Sequence, residues 1–222
     1  MAIASRAKDY LVFPDYTDAE RAADRIIHII GVPLGVAAGL WLLVRTAMQG
    51  GTILMLTILI YVFGLIGMLS ASAAYQLARN GLKKEKLRRL DRAMIFVMIA
   101  GTYTPISANV LLNRGGVYLC EFLWLLAAIG ITITLKYPRR FERPILALYL
   151  AMGWMLIVLI HNAFTILKPL TLALLFAGGI AYTVGAIINS IPRLKFHNPI
   201  WHALVLIAAS LQFEAIGVQL LR

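Results

Sequence analysis

An all-α membrane protein is predicted, a bundle of seven transmembrane helices with its N-terminus cytoplasmic and its C-terminus external. Three observations predict it. Hydrophobic residues make up 61% of the 222-residue chain and charged residues only 14%, against roughly 25% charged in a soluble domain. The apolar residues fall in long runs, giving a mean hydropathy of +0.82. The 21 Lys and Arg residues crowd alternate hinges between those runs.

A hydrocarbon core of ~30 Å requires about 20 apolar residues per helix. Runs of that length occupy 25–47, 51–77, 91–112, 117–136, 144–164, 169–190 and 199–221. Residues 1–22 are then a cytoplasmic segment carrying the start of an interfacial helix, and 23–222 form the transmembrane domain. Because residues 1–22 are polar and the first run is long enough to span, no cleavable signal peptide is expected.

Orientation follows from the rule that basic residues near span ends stay on the cytoplasmic side. Arg6, Lys8, Arg21 and Arg25 precede the first span. Arg79, Lys83, Lys84, Lys86, Arg88, Arg89 and Arg92 follow the second, Lys136, Arg139, Arg140 and Arg143 the fourth, and Arg193 and Lys195 the sixth. The other face has only Arg45, Arg114, Lys168 and Arg222. The expected location is the inner (plasma) membrane, with several passes. The formal charge of +11 then signals topology and an attraction to anionic inner-leaflet lipid, at ~1 kcal/mol per basic residue near the surface. Nucleic acid is not an expected partner, since no soluble domain is left to present a basic groove. Cys120 is the sole cysteine, so no internal disulfide forms.

Thr17 with Glu20 three residues on is a capping box that starts a helix ahead of the first span. That helix puts Glu20, Asp24 and His28 on one face, at i, i+4 and i+8. Glu20 and Asp24 read either as solvated interfacial groups or as ionisable groups that enter the membrane together with His28. His28, a turn deeper, should face the bundle and find a partner. Small residues such as Gly64, Gly67 and Ser70, or Gly178, Gly179 and Gly185, suit close helix packing. Tyr10, Tyr16, Tyr118, Tyr137 and Trp201 suit an aromatic belt.

Given this topology, polar residues distant in sequence converge near the cytoplasmic leaflet. Ser72 and Gln76 end the second span, Asp91 opens the third, and His197, Asn198 and His202 lie at the start of the seventh. Asn198 followed by Pro199 reads as an N-cap and first helical position. As a helix-start residue, Asp91 would favour the positive end of the dipole or pair with Arg89 or Arg92. Glu121, His161, Asn162, Gln212 and Glu214 form a second set towards the other face, read first as groups at a wet outer mouth and otherwise as a proton or ion path. The seventh span has no Lys to hold retinal.

These residues carry a resemblance. Glu20, Asp24, His28 and Gly31 form its first motif, Ser72-Ala73-Ala74-Tyr75-Gln76 its second, and Leu90-Asp91-Arg92-Ala93 running into Ile99-Ala100-Gly101-Thr102-Tyr103-Thr104-Pro105 its third. Gly178-Gly179-Ile180-Ala181-Tyr182 and Ile200-Trp201-His202-Ala203 complete it. In this order they resemble the hemolysin III family, the bacterial branch of the progestin and adiponectin receptor superfamily. The resemblance implies seven helices with the N-terminus inside. It also implies a buried zinc held by histidines of the second and seventh helices, an Asp of the third helping to hold metal-bound water, and a link to hydrolysis of the ceramide amide bond.

The match departs from the family at the metal. The second-helix histidine position falls on Gln76, the first of the seventh-helix pair on Asn198, and another on Gln212, leaving Asp91 and His202 with Ser72 beside them. Neutral carbonyl oxygens are poor substitutes for the three ligands of a catalytic zinc, so zinc is expected to be absent or weakly bound. A remodelled shell of Asp91, His197 and His202, joined by His28, is the metal-binding alternative. Asp91 and Ser72 are then the candidate catalytic residues, with Gln76, His28, Asn198 and Gln212 in the pocket. The leading expectation is a lipid-accessible pocket in a degenerate relative of zinc-dependent lipid amide hydrolases. An active lipid hydrolase and a cytolytic pore are the alternatives.

Overall fold

The computed structural model describes residues 13–137 and 139–221. Arg6, Lys8, Tyr10 and Arg222 lie outside the described residues. Every regular element among those described is helical.

Helix α1 (Asp18–Gln49) begins at the expected capping box: the Glu20 N–H donates to Thr17 Oγ1 and the Thr17 N–H donates back to the Glu20 carboxylate. Glu20 is more than an interfacial charge. Its second oxygen accepts from the Phe196 N–H at 2.9 Å, tying the start of α1 to the loop that feeds the last helix. Helix α1 ends at Gly50 and Gly51, with φ of 79° and 104°. Residues without a Cβ adopt that region freely, so the chain reverses into α2 (Thr52–Leu77) within two residues.

Helix α2 lies close against α3 (Leu82–Asn109). A Cβ added at Gly64 would sit 3.3 Å from Met98 Cα and Val97 O, and one at Gly101 would sit 3.4 Å from the Ile60 oxygen. The small residues therefore set the spacing of these backbones. The sequence places the start of the third helix at Asp91, but the basic stretch before it is helical as well. Glu85 makes this arrangement stable: buried to 2% exposure, it accepts from Arg88 and Arg89 of its own helix and from Arg139. Asp91 is thus well inside α3. Arg89 and Arg92 pair with Glu85 and Glu142 respectively.

A kinked segment, Leu112–Gly116, with non-helical backbone at Arg114 and Gly115 (φ −128° and 85°), leads into α4 (Val117–Lys136). The predicted uninterrupted span over 144–164 is broken into α5 (Glu142–Gly153), a 3₁₀ turn (Met155–Leu159) and α6 (Ile160–Ile166). Tyr103 of α3 makes the break tolerable. Its hydroxyl donates to the Gly153 oxygen at 2.7 Å and accepts from the Leu156 N–H at 3.1 Å, replacing helix bonds that nothing in an apolar surrounding would otherwise satisfy.

Helices α7 (Pro169–Asn189) and α8 (His197–Leu220) complete the bundle. Asn198 is not the N-cap. Phe196, at φ 60°, takes that place, because its N–H is held by Glu20 and its carbonyl accepts from the Ile200 N–H. Pro199 still lies in the first turn, where its missing N–H costs no helix bond.

Six helical segments among the described residues are long and apolar enough to cross a membrane: Asp18–Gln49, Thr52–Leu77, Leu112–Lys136, Glu142–Ile166, Pro169–Asn189 and His197–Leu220. Helix α3, on which the predicted third span falls, has 28 residues and reaches about 42 Å at 1.5 Å per residue. Its charged first turns and the polar Thr102-Tyr103-Thr104-Pro105 run further along lower its hydropathy. The outer faces are apolar, with Ile29, Leu34, Trp41 and Met48 of α1 each more than half exposed. Such a surface suits hydrocarbon rather than water, and the chain is a helical membrane protein. Inside, one apolar cluster joins Ile58, Tyr61 and Leu65 of α2 to Met98 of α3, and a second gathers Leu123, Ala127 and Met152 around Phe96. Helix α3 belongs to both and so presents Asp91 between the two halves.

Candidate functional site

The strongest polar feature of the interior is contributed by the first and last helices. The capping box and the Glu20 tie to Phe196 fix α1 against α8. The face carrying Glu20, Asp24 and His28 is therefore turned inward, and Asp24 and His28 are 5% and 6% exposed. Of the two readings of Asp24, solvated or drawn into the bundle, the second holds: its Oδ1 lies 2.5 Å from Nδ1 of His202. His202 and His28 meet edge to face with ring centroids 4.7 Å apart.

The partners assign the ring protons. His28 Nδ1 lies 2.7 Å from the Asp24 backbone oxygen, which can only accept, so Nδ1 carries the hydrogen. His28 Nε2 lies 3.1 Å from Ser72 Oγ, and the Ser72 hydroxyl is also hydrogen-bonded with the Asp91 carboxyl. His202 Nδ1 likewise donates to the Asp24 carboxylate and leaves its own Nε2 free. Asp24, His28 and His202 each bring a ligand atom within 4.8 Å of the others. Two imidazoles and a carboxylate are a donor set that suits zinc.

His28 and His202, but not Asp24, border a cavity of about 1120 Å³, open space at its mouth included. His28, Ser72, Asp91 and His202 form its polar end, and Asp91 is in electrostatic contact with His202 and Ser72. The remainder is largely apolar. It runs past Ile99, Leu150 and Trp154 to Gln212 and adjoins a second cavity through Thr102, Tyr103, Trp154 and Gln212. The break between α5 and α6 contributes Gly153 and Trp154 to this wall, with the Trp154 Nε1–H donating to Thr183 Oγ1 at 3.0 Å. The Tyr182 hydroxyl, buried in the same wall, has no hydrogen-bond partner among the described residues.

Of the residues singled out from sequence, Ser72, Asp91, His28, His202 and Gln212 line this space, while Gln76, Asn198 and His197 do not. His197 is turned away: its Nδ1 donates to the Leu194 oxygen at 2.9 Å and its ring packs 5.7 Å from that of Tyr16. It belongs with the interface and not with a remodelled shell. Trp201, expected in the aromatic belt, lines the cavity against Gly185, whereas Tyr118 is 78% exposed. Glu121, His161 and Glu214 are exposed and separate from the cluster, and the side-chain amide of Asn162 donates to the Arg114 oxygen. Sequence reasoning missed Asp24 as a partner of His202. The available signal was its i, i+4 spacing from His28, which makes burial of one draw in the other.

Comparison with known proteins agrees with the motif resemblance. Residues 22–213 match the model of a family described as Haemolysin-III related. The chain belongs to the haemolysin III family. It is 31% identical over 198 residues to the Hemolysin-3 homolog of Bacillus subtilis (strain 168), covering 89% of this chain and 93% of that protein. Hemolysin-3 of Bacillus cereus is also 31% identical, over 194 residues, with 87% and 89% covered. The human Monocyte to macrophage differentiation factor is 29% identical over 177 residues, covering 75% and 71%. No solved structure matches.

Proposed function

We propose that this haemolysin III protein takes an acylated lipid into the intramembrane cavity, with the lipid's carbonyl group at the polar end and its chain along the apolar wall. The observation that carries this reading is the asymmetry of the cavity. One end concentrates His28, Ser72, Asp91 and His202, and the rest is built from groups such as Ile99, Leu150 and Trp154. An amphiphile with one polar head matches such a lining, because an apolar pocket with a few convergent polar groups fixes orientation as well as affinity. A pore is less well matched, since it needs a polar path through the bundle and this lining is mostly apolar.

The charge distribution supports seven spans, with α3 crossing as the third, the N-terminus cytoplasmic and the C-terminus external. The polar end then lies at the inner leaflet of the plasma membrane, where the basic hinges meet anionic lipid.

Lipid amide or ester hydrolysis is the second reading, and the Asp24, His28 and His202 group favours it. A metal held there would supply polarisation of the carbonyl and acidification of bound water. The chain's own contributions are specific. Asp24 fixes the His202 ring through Nδ1, and Ser72 Oγ is held within hydrogen-bond distance of His28 Nε2. Asp91 supplies a carboxylate within the same wall, and the apolar remainder excludes water from the reacting group.

The occupancy reading is tested by native mass spectrometry of detergent-purified protein and by crosslinking to a photoactivatable acyl lipid in vesicles. The parent should retain lipid and crosslink within the cavity. Gly179→Leu, which places a larger side chain beside Trp154, should lose both signals while remaining folded. A parent that carries no lipid and crosslinks only on its outer faces would overturn the proposal.

A further inference from the structure

We infer that the two adjoining cavities form one acyl path that reads chain length: a lipid whose chain passes the partition at Thr102, Trp154 and Gln212 is held in preference to one whose chain ends before it. The inference rests on the proposed seating of a lipid carbonyl at the polar end. The order of the lining along the helices carries it further. Helix α3 passes from Asp91 and Ile99 beside the first cavity, through Thr102 at the shared wall, to Ser107 beside the second. The segment after α4 keeps the same order in Leu150, Trp154 and Ile157. Helix α7 meets the cavities in reverse, with Leu175 beside the second, Gly179 at the wall and Thr183 beside the first. The second cavity therefore continues the first, away from the polar end.

Its lining suits hydrocarbon. The second cavity measures about 580 Å³, open space at its mouth included, and beyond the shared wall it is apolar except at Ser107. The wall itself makes few demands on a passing chain, because three of its polar groups are already bonded within the protein. The Thr102 hydroxyl donates to the Met98 oxygen at 2.8 Å, the Tyr103 hydroxyl to the Gly153 oxygen, and the Trp154 Nε1–H to Thr183 Oγ1.

The distances match acyl chains. Along α3 Thr102 is eleven residues from Asp91 and Ser107 is sixteen, or about 16 and 24 Å at 1.5 Å per residue. An extended chain of sp³ carbons, with bonds of about 1.5 Å and angles near 111°, advances roughly 1.25 Å per bond. A dodecanoyl chain then ends short of the partition, and an octadecanoyl chain passes it by about 5 Å.

The test is competitive native mass spectrometry of delipidated, detergent-purified protein with an equimolar mixture of dodecanoyl and octadecanoyl lysophosphatidylethanolamine. The octadecanoyl-to-dodecanoyl binding ratio is compared between parent and variants, which cancels the micelle's own preference for longer chains. Ser107→Leu and Leu175→Trp fill the second cavity from α3 and from α7, so one serves if the other does not fold. Each should lower the ratio by about 10-fold, the equivalent of about two buried methylenes, while binding the dodecanoyl lipid as the parent does. Gly217→Leu, at a position in neither lining, should keep the parent ratio. A diazirine at the chain end gives a second readout on the parent. On the octadecanoyl lipid it should label Ile157 or Leu175, and on the dodecanoyl lipid only residues of the first cavity. A ratio unchanged in the folded variants, a ratio lowered equally by Gly217→Leu, or an octadecanoyl chain end that labels only the first cavity would each overturn the inference. So would a dodecanoyl chain end in the second cavity, since that space would then fill separately from the polar end. A parent that binds both lipids, with a ratio the variants leave unchanged, refutes this inference alone, whereas a parent that binds neither refutes the proposed function beneath it.

Discussion

Tyr103 illustrates how much a single side chain carries in an apolar interior. Its hydroxyl satisfies both sides of the break after Gly153, where no solvent substitutes. Tyr103→Phe should therefore destabilise the protein by about 1 to 3 kcal/mol, the cost of leaving buried backbone groups unpaired. Thermal unfolding in detergent checks this, with increased proton exchange expected at Leu156. An unchanged melting temperature would show that the break is held by other groups. Thr17 acts at the polar end of α1, and Thr17→Ala should cost about 1 kcal/mol through loss of the cap. The same substitution should loosen the Glu20 contact with Phe196 and so weaken whatever the His28 and His202 pair binds. A binding assay of Thr17→Ala against the parent, at a temperature where both are folded, tests that coupling.

At the scale of elements, the contact between α2 and α3 is set by backbone approach. At Gly64 the nearest obstacles are Met98 Cα and the Val97 oxygen, which cannot rotate away as a side-chain tip can. Gly64→Leu should therefore separate the helices and destabilise the fold by about 1 to 3 kcal/mol. Gly217→Leu, with nothing within 4 Å of its added Cβ, is the matching control and should be nearly neutral. Equal melting temperatures for the two variants would contradict the close packing. Because α3 carries Asp91 into the cavity, Gly64→Leu should also reduce ligand binding more than its loss of stability alone explains.

For the whole molecule, the Glu85 cluster ties the start of α3 to the segment between α4 and α5 through Arg88 and Arg139. Burial alone would push the Glu85 carboxyl up, but the hydrogen bonds and charges of Arg88 and Arg139 outweigh it and hold the group below the ordinary carboxylate range. A depressed folded value means that the stabilisation is present above the unfolded value of about 4.3 and is lost as pH falls through the folded value. Stability should therefore decline on acidification below about pH 4. Glu85→Gln should be less stable at neutral pH and should flatten that decline. Topology is tested at the same scale: reporter fusions after Lys86 and after Arg222 should report opposite compartments, and equal labelling from both sides would overturn the seven-span proposal.

Long apolar runs and the placement of basic residues determined the membrane class and most helix positions, because burial in hydrocarbon demands length and low polarity of each segment separately. The capping box at Thr17, the motif order and the cavity residues Ser72, Asp91, His28 and His202 were legible for the same reason, each being a local pattern. The interruption after Gly153 was not legible, since the residue that stabilises it, Tyr103, is fifty positions away. Nor was the pairing of Asp24 with His202, separated by 178 residues, or the turning of His197 towards Tyr16. Helical periodicity tells which side chains share a face. Only the packing of α1 on α8, fixed by Glu20 at Phe196, decided which of those faces meet, and with them the donors that a metal or a lipid carbonyl would encounter.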